Sequence, residues 1–185
     1  QREIIDSVLA GHDTLGLLPT GAGKSVTFQV PGLALGGITL VVTPLVALMK
    51  DQVDNLRQKG VKAAYLHSGM TYAETNHVWR ALATGHCSFL YVAPERLLSR
   101  RFMDEIRTLR DIRLVVADEA HCISQWGYDF RPAYLGIASL RKILPATVPF
   151  LALTASATPA VADDICRGLL QRLRDEQAFF CTCQP

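Results

Sequence analysis

The sequence predicts an α/β domain with a mostly parallel sheet sandwiched by helices. Three observations carry that prediction. Short apolar runs alternate with helix-like stretches from one end of the chain to the other. Runs such as Ile38–Val42 are apolar almost throughout rather than alternating, as in strands covered on both faces. The small and polar motifs fall just after these runs, beyond the carboxyl ends of the strands, where open parallel sheets bind their ligands.

The chain opens at Gln1 inside a helical pattern, and it is read as a piece of a longer protein. Residues 14–18 form the first apolar run, and a helix is expected over 24–35 until Gly36–Gly37 breaks it. A strand over 38–42 leads to a helix over 46–58 that stops at Gly60. Further strands are expected at 61–65, 89–92, 114–117 and 150–153. A helix over 71–84 ends at Gly85, and others follow Pro132 and Pro159, since proline suits a first helical turn. There is no internal repeat or low-complexity tract. The domain is expected to run over residues 1–180, with 181–185 the start of a linker.

The 185 residues suffice for one domain with its own core. With 49% hydrophobic and 19% charged residues, the chain is neither a disordered segment nor a coiled coil. No apolar run has the length of a membrane span, and the first residues do not read as a secretory leader. An intracellular protein is expected, cytoplasmic in a bacterium or nuclear in a eukaryote, with no membrane partner. A net charge of +2 is too mild to argue for nucleic acid by itself. Five scattered cysteines lack the paired spacing of a zinc site and read as reduced thiols.

Pro19-Thr20-Gly21-Ala22-Gly23-Lys24-Ser25 joins an expected strand to an expected helix. Such a loop can turn its amides onto phosphate oxygens at a helix start. Lys24 adds a cation for the β- and γ-phosphates, and the Ser25 hydroxyl can ligate Mg²⁺. Leu18 stands where the general phosphate-loop pattern has a glycine. About 95 residues further on, the strand over 114–117 ends in Asp118 and Glu119. Asp118 is expected to hold hydrated Mg²⁺ and Glu119 to orient and deprotonate the attacking water. Paired carboxylates alone are common, but after a phosphate loop they indicate hydrolysis of ATP or a similar nucleotide.

Two further stretches follow strands: Thr43-Pro44-Leu45 and Thr154-Ala155-Ser156-Ala157-Thr158. The first opens a helix and could contact phosphates; the hydroxyls of the second could bridge to a neighbouring acidic motif. A helix cap accounts for each equally well. Their order, together with Asp118-Glu119-Ala120-His121, resembles a superfamily 2 helicase. That resemblance implies that His121, Ser156 and Thr158 couple hydrolysis to the rest of the motor.

The loop Cys122-Ile123-Ser124-Gln125-Trp126-Gly127-Tyr128-Asp129-Phe130-Arg131-Pro132 carries three aromatics and an arginine. Aromatic faces and guanidinium groups suit stacking on single-stranded bases, although such a loop can also pack its rings inward. It resembles the aromatic-rich loop of RecQ helicases, although Tyr128 stands where that family often has histidine. The resemblance implies a RecA-like P-loop NTPase lobe, the first of two, in a 3′–5′ ATP-dependent DNA helicase. It gives Trp126, Phe130 and Arg131 to DNA, with Thr43, Pro44 and Pro94 along the same strand. It gives Gln1, at the end of an adenine-recognition motif, to ATP beside Thr20, Gly21, Ala22, Gly23, Lys24 and Ser25. The partners it implies are single-stranded and duplex DNA and a second motor lobe of the same protein, without which this lobe is expected to be largely inactive. An RNA helicase, or a scaffold module that kept the fold, fits the shared motifs as well. The arginines at 96, 100, 101, 107, 110 and 113 are interleaved with acids and read as a solvated helical face.

Overall fold

A computed structural model describes residues 1–126, 129–169 and 179–182. Seven parallel strands form one sheet in the order β3-β4-β2-β5-β6-β1-β7. The strands are β1 (Thr14–Leu17), β2 (Ile38–Val42), β3 (Ala63–Leu66), β4 (Phe89–Val92), β5 (Ile112–Ala117), β6 (Phe150–Thr154) and β7 (Phe179–Thr182). The helices are α1 (Arg2–Leu9), α2 (Val26–Leu35), α3 (Val46–Gln58), α4 (Tyr72–Ala83), α5 (Arg100–Thr108), α6 (Gly136–Ile143) and α7 (Pro159–Leu169).

Alternate residues of each strand point to opposite faces, which splits the core in two. Leu40, Val42, Val115 and Ala117 pack against residues of α4, α5, α6 and α7. Val41, Leu114, Val116 and Leu153 pack against residues of α1, α2 and α3. Burial on both faces explains the strands that are apolar almost throughout. The helix ends are set locally: Thr71 and Glu74 form a reciprocal capping box at α4, which fixes its first turn.

Three expectations need correction. The helix after the phosphate loop starts at Val26, because residues 23–25 make tighter turns, with the Val26 amide donating to the Gly23 carbonyl. The third strand runs over Ala63–Leu66 rather than 61–65; the Val61 amide instead donates to the Leu56 carbonyl at the end of α3. The sheet also continues past the expected boundary at residue 180. Cys181 and Thr182 pair with Gly16 and Leu17, so the far side of β1 is covered by β7 rather than left as an edge beside a linker. Residues 183–185 lie outside the described residues.

An ion pair ties the start of β1 to α6. Arg141 donates to both oxygens of Asp13 at 2.6 Å, and Asp13 also accepts from the Phe150 amide. Cys87, Cys122 and Cys166 are free, and burial pushes their thiols up to about 11, 12 and 11, which disfavours the thiolate. Among the described residues no helix is long and apolar enough to cross a membrane.

Candidate nucleotide and nucleic-acid site

The carboxyl ends of β1, β2, β5 and β6 bring the candidate residues together. The Leu18 amide donates to the Thr154 carbonyl, which aligns the start of the phosphate loop with the end of β6. Gly21 and Gly23 have φ of 83° and 73°, a left-handed region that other residues resist. A side chain at Gly23 would also run into Gln1, 2.7 Å from its amide nitrogen. Gln1 donates to the Ala22 carbonyl, so α1 holds the loop from behind. Thr20 and Gly21 are exposed, and the Ser25 side chain makes no capping bond to α2.

Lys24 crosses to the acidic motif and lies 2.6 Å from Glu119 Oε1. Glu119 adopts φ 49°, ψ 47°, the left-handed conformation, and is the only residue other than glycine with positive φ among the described residues. This turn directs its carboxylate to Lys24 and to His121 Nδ1, 3.4 Å away. Asp118 is different. One oxygen accepts from the Glu119 amide and the other from the Thr43 hydroxyl, at 3.0 and 3.3 Å. Neither donor carries charge. Burial, and then the neighbouring Glu119, raise the Asp118 pKa above the usual carboxylate value, only partly offset by Lys24. A half-buried carboxylate whose two donors are neutral suits a hard divalent ion held by one carboxylate, a hydroxyl and phosphate oxygens. The Tyr134 hydroxyl donates to the Asp118 carbonyl at 2.8 Å and holds this turn from below.

The expected coupling residues are placed differently from one another. His121 Nδ1 lies 2.9 Å from the Thr154 hydroxyl, the first of three hydroxyl residues from the end of β6 onward. Ser156 reaches this pair only through its backbone, and Thr158 caps α7 by accepting from the Val161 amide. Thr154 stands at the end of β6 as Ala117 does at the end of β5, and that shared strand-end position was the signal for it. Thr43 is 3% exposed and faces Asp118, and Pro94 is buried at the start of a short 3-10 helix, so neither presents its side chain to solvent.

Of the two arrangements open to the aromatic loop, Trp126 takes the outward one and Phe130 lies between them. Trp126 is 79% exposed. Arg131 is held by Asp129 at 2.9 Å and donates to the Pro44 carbonyl at 3.3 Å, which joins the loop to the start of α3. Phe130 is half-buried and shares a pocket with Trp126, Leu135 and Arg167. Buried Ser124 donates to Asp164 of α7 at 2.6 Å and accepts from the Trp126 amide, a link that only the fold reveals. Gly127 and Tyr128 lie outside the described residues.

The comparisons with known proteins agree with this geometry. The family described as DEAD/DEAH box helicase matches residues 1–165. The chain is 45% identical over 169 residues to the ATP-dependent DNA helicase RecQ of Pasteurella multocida, covering 91% of this chain and 26% of that protein. It is 46% identical over 160 residues to that of Bacillus subtilis, covering 86% and 27%. The chain therefore spans about a quarter of the length of these curated relatives. Among solved structures, the helicase MrfA bound to DNA and AMPPNP superposes with a TM-score of 0.74 at 16% identity, covering 98% of this chain and 26% of MrfA. The Hef helicase domain of Pyrococcus furiosus gives 0.70 at 22%, covering 97% and 37%. These two likenesses establish the fold.

Proposed function

Because this chain belongs to the DEAD/DEAH box helicase family, as a motor domain of RecQ type, we propose that it is the ATP-binding lobe of a 3′–5′ DNA helicase. In this reading the whole protein couples Mg-ATP hydrolysis to movement along single-stranded DNA and to duplex unwinding. It acts in the bacterial cytoplasm or the eukaryotic nucleus. The observation that carries the reading is the cluster of Lys24, Glu119 and Asp118 at the strand ends, continued through His121 to Thr154.

Lys24 would leave Glu119 for the nucleotide phosphates, with the amides of Gly21 to Ser25 around it and Gln1 toward the adenine. Ser25 and Asp118 would hold Mg²⁺, whose charge neutralises that developing on the transferred phosphoryl group. Glu119, freed from Lys24, would orient the attacking water and take its proton. His121 and Thr154 would pass the state of Glu119 to the end of β6. Trp126, Phe130 and Arg131 would meet the DNA strand, and Arg131 would relate it to Pro44. In such motors a second lobe supplies arginines to the phosphates, worth roughly 10³–10⁵ in turnover where measured. The isolated lobe is therefore expected to bind Mg-nucleotide with little hydrolysis.

The test is ATP turnover by the full-length protein that carries this domain, without nucleic acid, with single-stranded DNA and with RNA. Strong stimulation by DNA that is lost in Trp126→Ala supports the reading. Stimulation chiefly by RNA favours an RNA helicase. Full activity in Lys24→Ala would reduce the domain to a scaffold.

A further inference from the structure

The loop that carries Trp126 is held at its neck and again inside. At the neck the Arg131 amide donates to the Cys122 carbonyl at 2.8 Å, which closes the loop on itself. Inside, the Ser124 hydroxyl donates to Asp164 Oδ2 at 2.6 Å and accepts from the Trp126 amide at 3.2 Å. Asp164 belongs to α7, 40 positions along the chain from Ser124. The same face of α7 meets the loop again one turn later, where a side chain added at Gly168 would strike Ile123 Cδ1 at 2.8 Å. Ile123 and Ser124 are both buried, so the start of the loop is seated on α7.

Ser124 suits this place because a hydroxyl has one hydrogen and two lone pairs. Asp164 takes the hydrogen, which turns the lone pairs to the Trp126 amide. The 2.6 Å separation is that of a hydroxyl on a charged carboxylate, a bond roughly twice as strong as a neutral one. No cation competes for Asp164. The adjacent Asp163 takes Arg167 at 3.3 Å, and among the described residues no Lys or Arg lies within ion-pair distance of Asp164. The start of α7 is itself fixed, since Thr158 caps its first turn. Trp126 thus combines a ring that is 79% exposed with a backbone held by a buried hydroxyl. A ring on an ordered backbone loses less freedom when a ligand stacks on it.

We propose that Asp164 is a positioning residue for the aromatic loop: through Ser124 it holds the Trp126 backbone in the stance that meets the nucleic-acid strand. The proposal rests on the helicase reading above. Asp164 acts only through Ser124 and Trp126, so it changes affinity for the strand and not ATP turnover in the strand's absence.

The experiment measures binding of a fluorescein-labelled single-stranded DNA, and ATP turnover against DNA concentration, with the full-length protein. Asp164→Ala, Asp164→Asn, Ser124→Ala and Trp126→Ala are compared with wild type, and Asp164→Ala and Ser124→Ala are each also combined with Trp126→Ala. Asp164→Ala should weaken DNA binding and raise the DNA concentration for half-stimulation by about 2- to 10-fold, the effect of having to order one side chain on binding. Its turnover without DNA, and at saturating DNA, should equal wild type. Asp164→Asn keeps an oxygen acceptor for Ser124 and should recover most of the affinity. Ser124→Ala should show the same loss as Asp164→Ala and carries the same test if Asp164→Ala does not fold. In the Trp126→Ala background neither change should weaken binding further, because the residue through which both act is gone. Wild-type affinity in Asp164→Ala and Ser124→Ala, while Trp126→Ala weakens binding, overturns the positioning role and leaves the helicase reading standing. The same loss with and without Trp126, or a loss accompanied by lower turnover without DNA, makes the link purely structural and overturns the role as well. Failure of wild type to bind DNA overturns both.

Discussion

The Lys24 ammonium lies 2.6 Å from Glu119 Oε1, so the cation proposed for phosphate and the base proposed for water form one ion pair. Both side chains are largely shielded from solvent, which strengthens their attraction. In the proposed reading, nucleotide phosphates compete with Glu119 for Lys24. Glu119→Gln removes the competitor, so Mg-nucleotide should bind at least as tightly as to wild type. Hydrolysis in the full-length protein should fall by about 10²–10⁴, the usual contribution of a positioned base. Calorimetric nucleotide titration and single-turnover hydrolysis read the two effects separately; weaker binding in Glu119→Gln would contradict this competition.

The bridge from His121 to Thr154 predicts a ranking that differs from the one the sequence suggests. Thr154→Val keeps the shape and removes the hydroxyl, leaving a part-buried His121 without its 2.9 Å partner. Stability should fall by about 1–2 kcal/mol, the cost of an unmade buried hydrogen bond. DNA stimulation of ATP turnover should drop more in Thr154→Val than in Ser156→Ala, whose side chain makes no bond to His121. Equal effects in the two variants would remove Thr154 from the bridge.

Asp118 carries a pH signature. Its pKa is raised in the folded chain by burial and by Glu119. The folded state therefore holds this proton more tightly than the unfolded state, and stability falls as pH rises from the ordinary carboxylate value through the raised one. Asp118→Asn removes the buried charge. Its melting temperature should exceed that of wild type by a margin that grows with pH over that window and then levels off. The same variant should lose Mg²⁺-dependent hydrolysis. Melting curves from about pH 4 to 8 span the ordinary carboxylate value and the region above it; a margin that shrinks as pH rises would show that the fold favours the charged carboxylate instead.

Asp13 and Arg141 form a structural pair far from the site. The Asp13 side chain is fully buried, and the Arg141 guanidinium lies 3.7 Å over the Phe150 ring. Asp13→Ala leaves the Phe150 amide without its side-chain acceptor and Arg141 with only the Val148 carbonyl in place of a counter-charge. It should cost about 3–5 kcal/mol, the range for breaking a buried pair by removing one partner. Urea denaturation would detect this, while nucleotide affinity of the protein that remains folded should be unchanged.

Much of the site was legible because its motifs are local. Gly21, Gly23, Lys24 and Ser25 follow one apolar strand, and Asp118 and Glu119 follow another. The aromatic content of the Trp126 loop was likewise legible in composition, but not which rings face solvent. The link from Ser124 to Asp164 was not legible, since sequence spacing does not show which hydroxyl reaches a carboxylate 40 positions away. Pro94 and Thr43 looked available because a residue after a strand is equally placed, by sequence, to face solvent or a neighbouring strand.

The order of strands and helices, the phosphate loop and the acidic pair are thus determined by the sequence alone, through apolar periodicity and residue type within a few positions. Strand order is not encoded that way, because parallel strands adjacent in space are joined by distant crossovers. Only the fold sets β5 between β2 and β6 and β1 between β6 and β7. That order brings Thr43 to Asp118, Thr154 to His121 and Lys24 to Glu119, and it buries Asp118 enough to raise its pKa. Each of these pairings depends on a distance of a few ångströms between residues about 30 to 95 apart in the chain, and tertiary packing alone sets that distance.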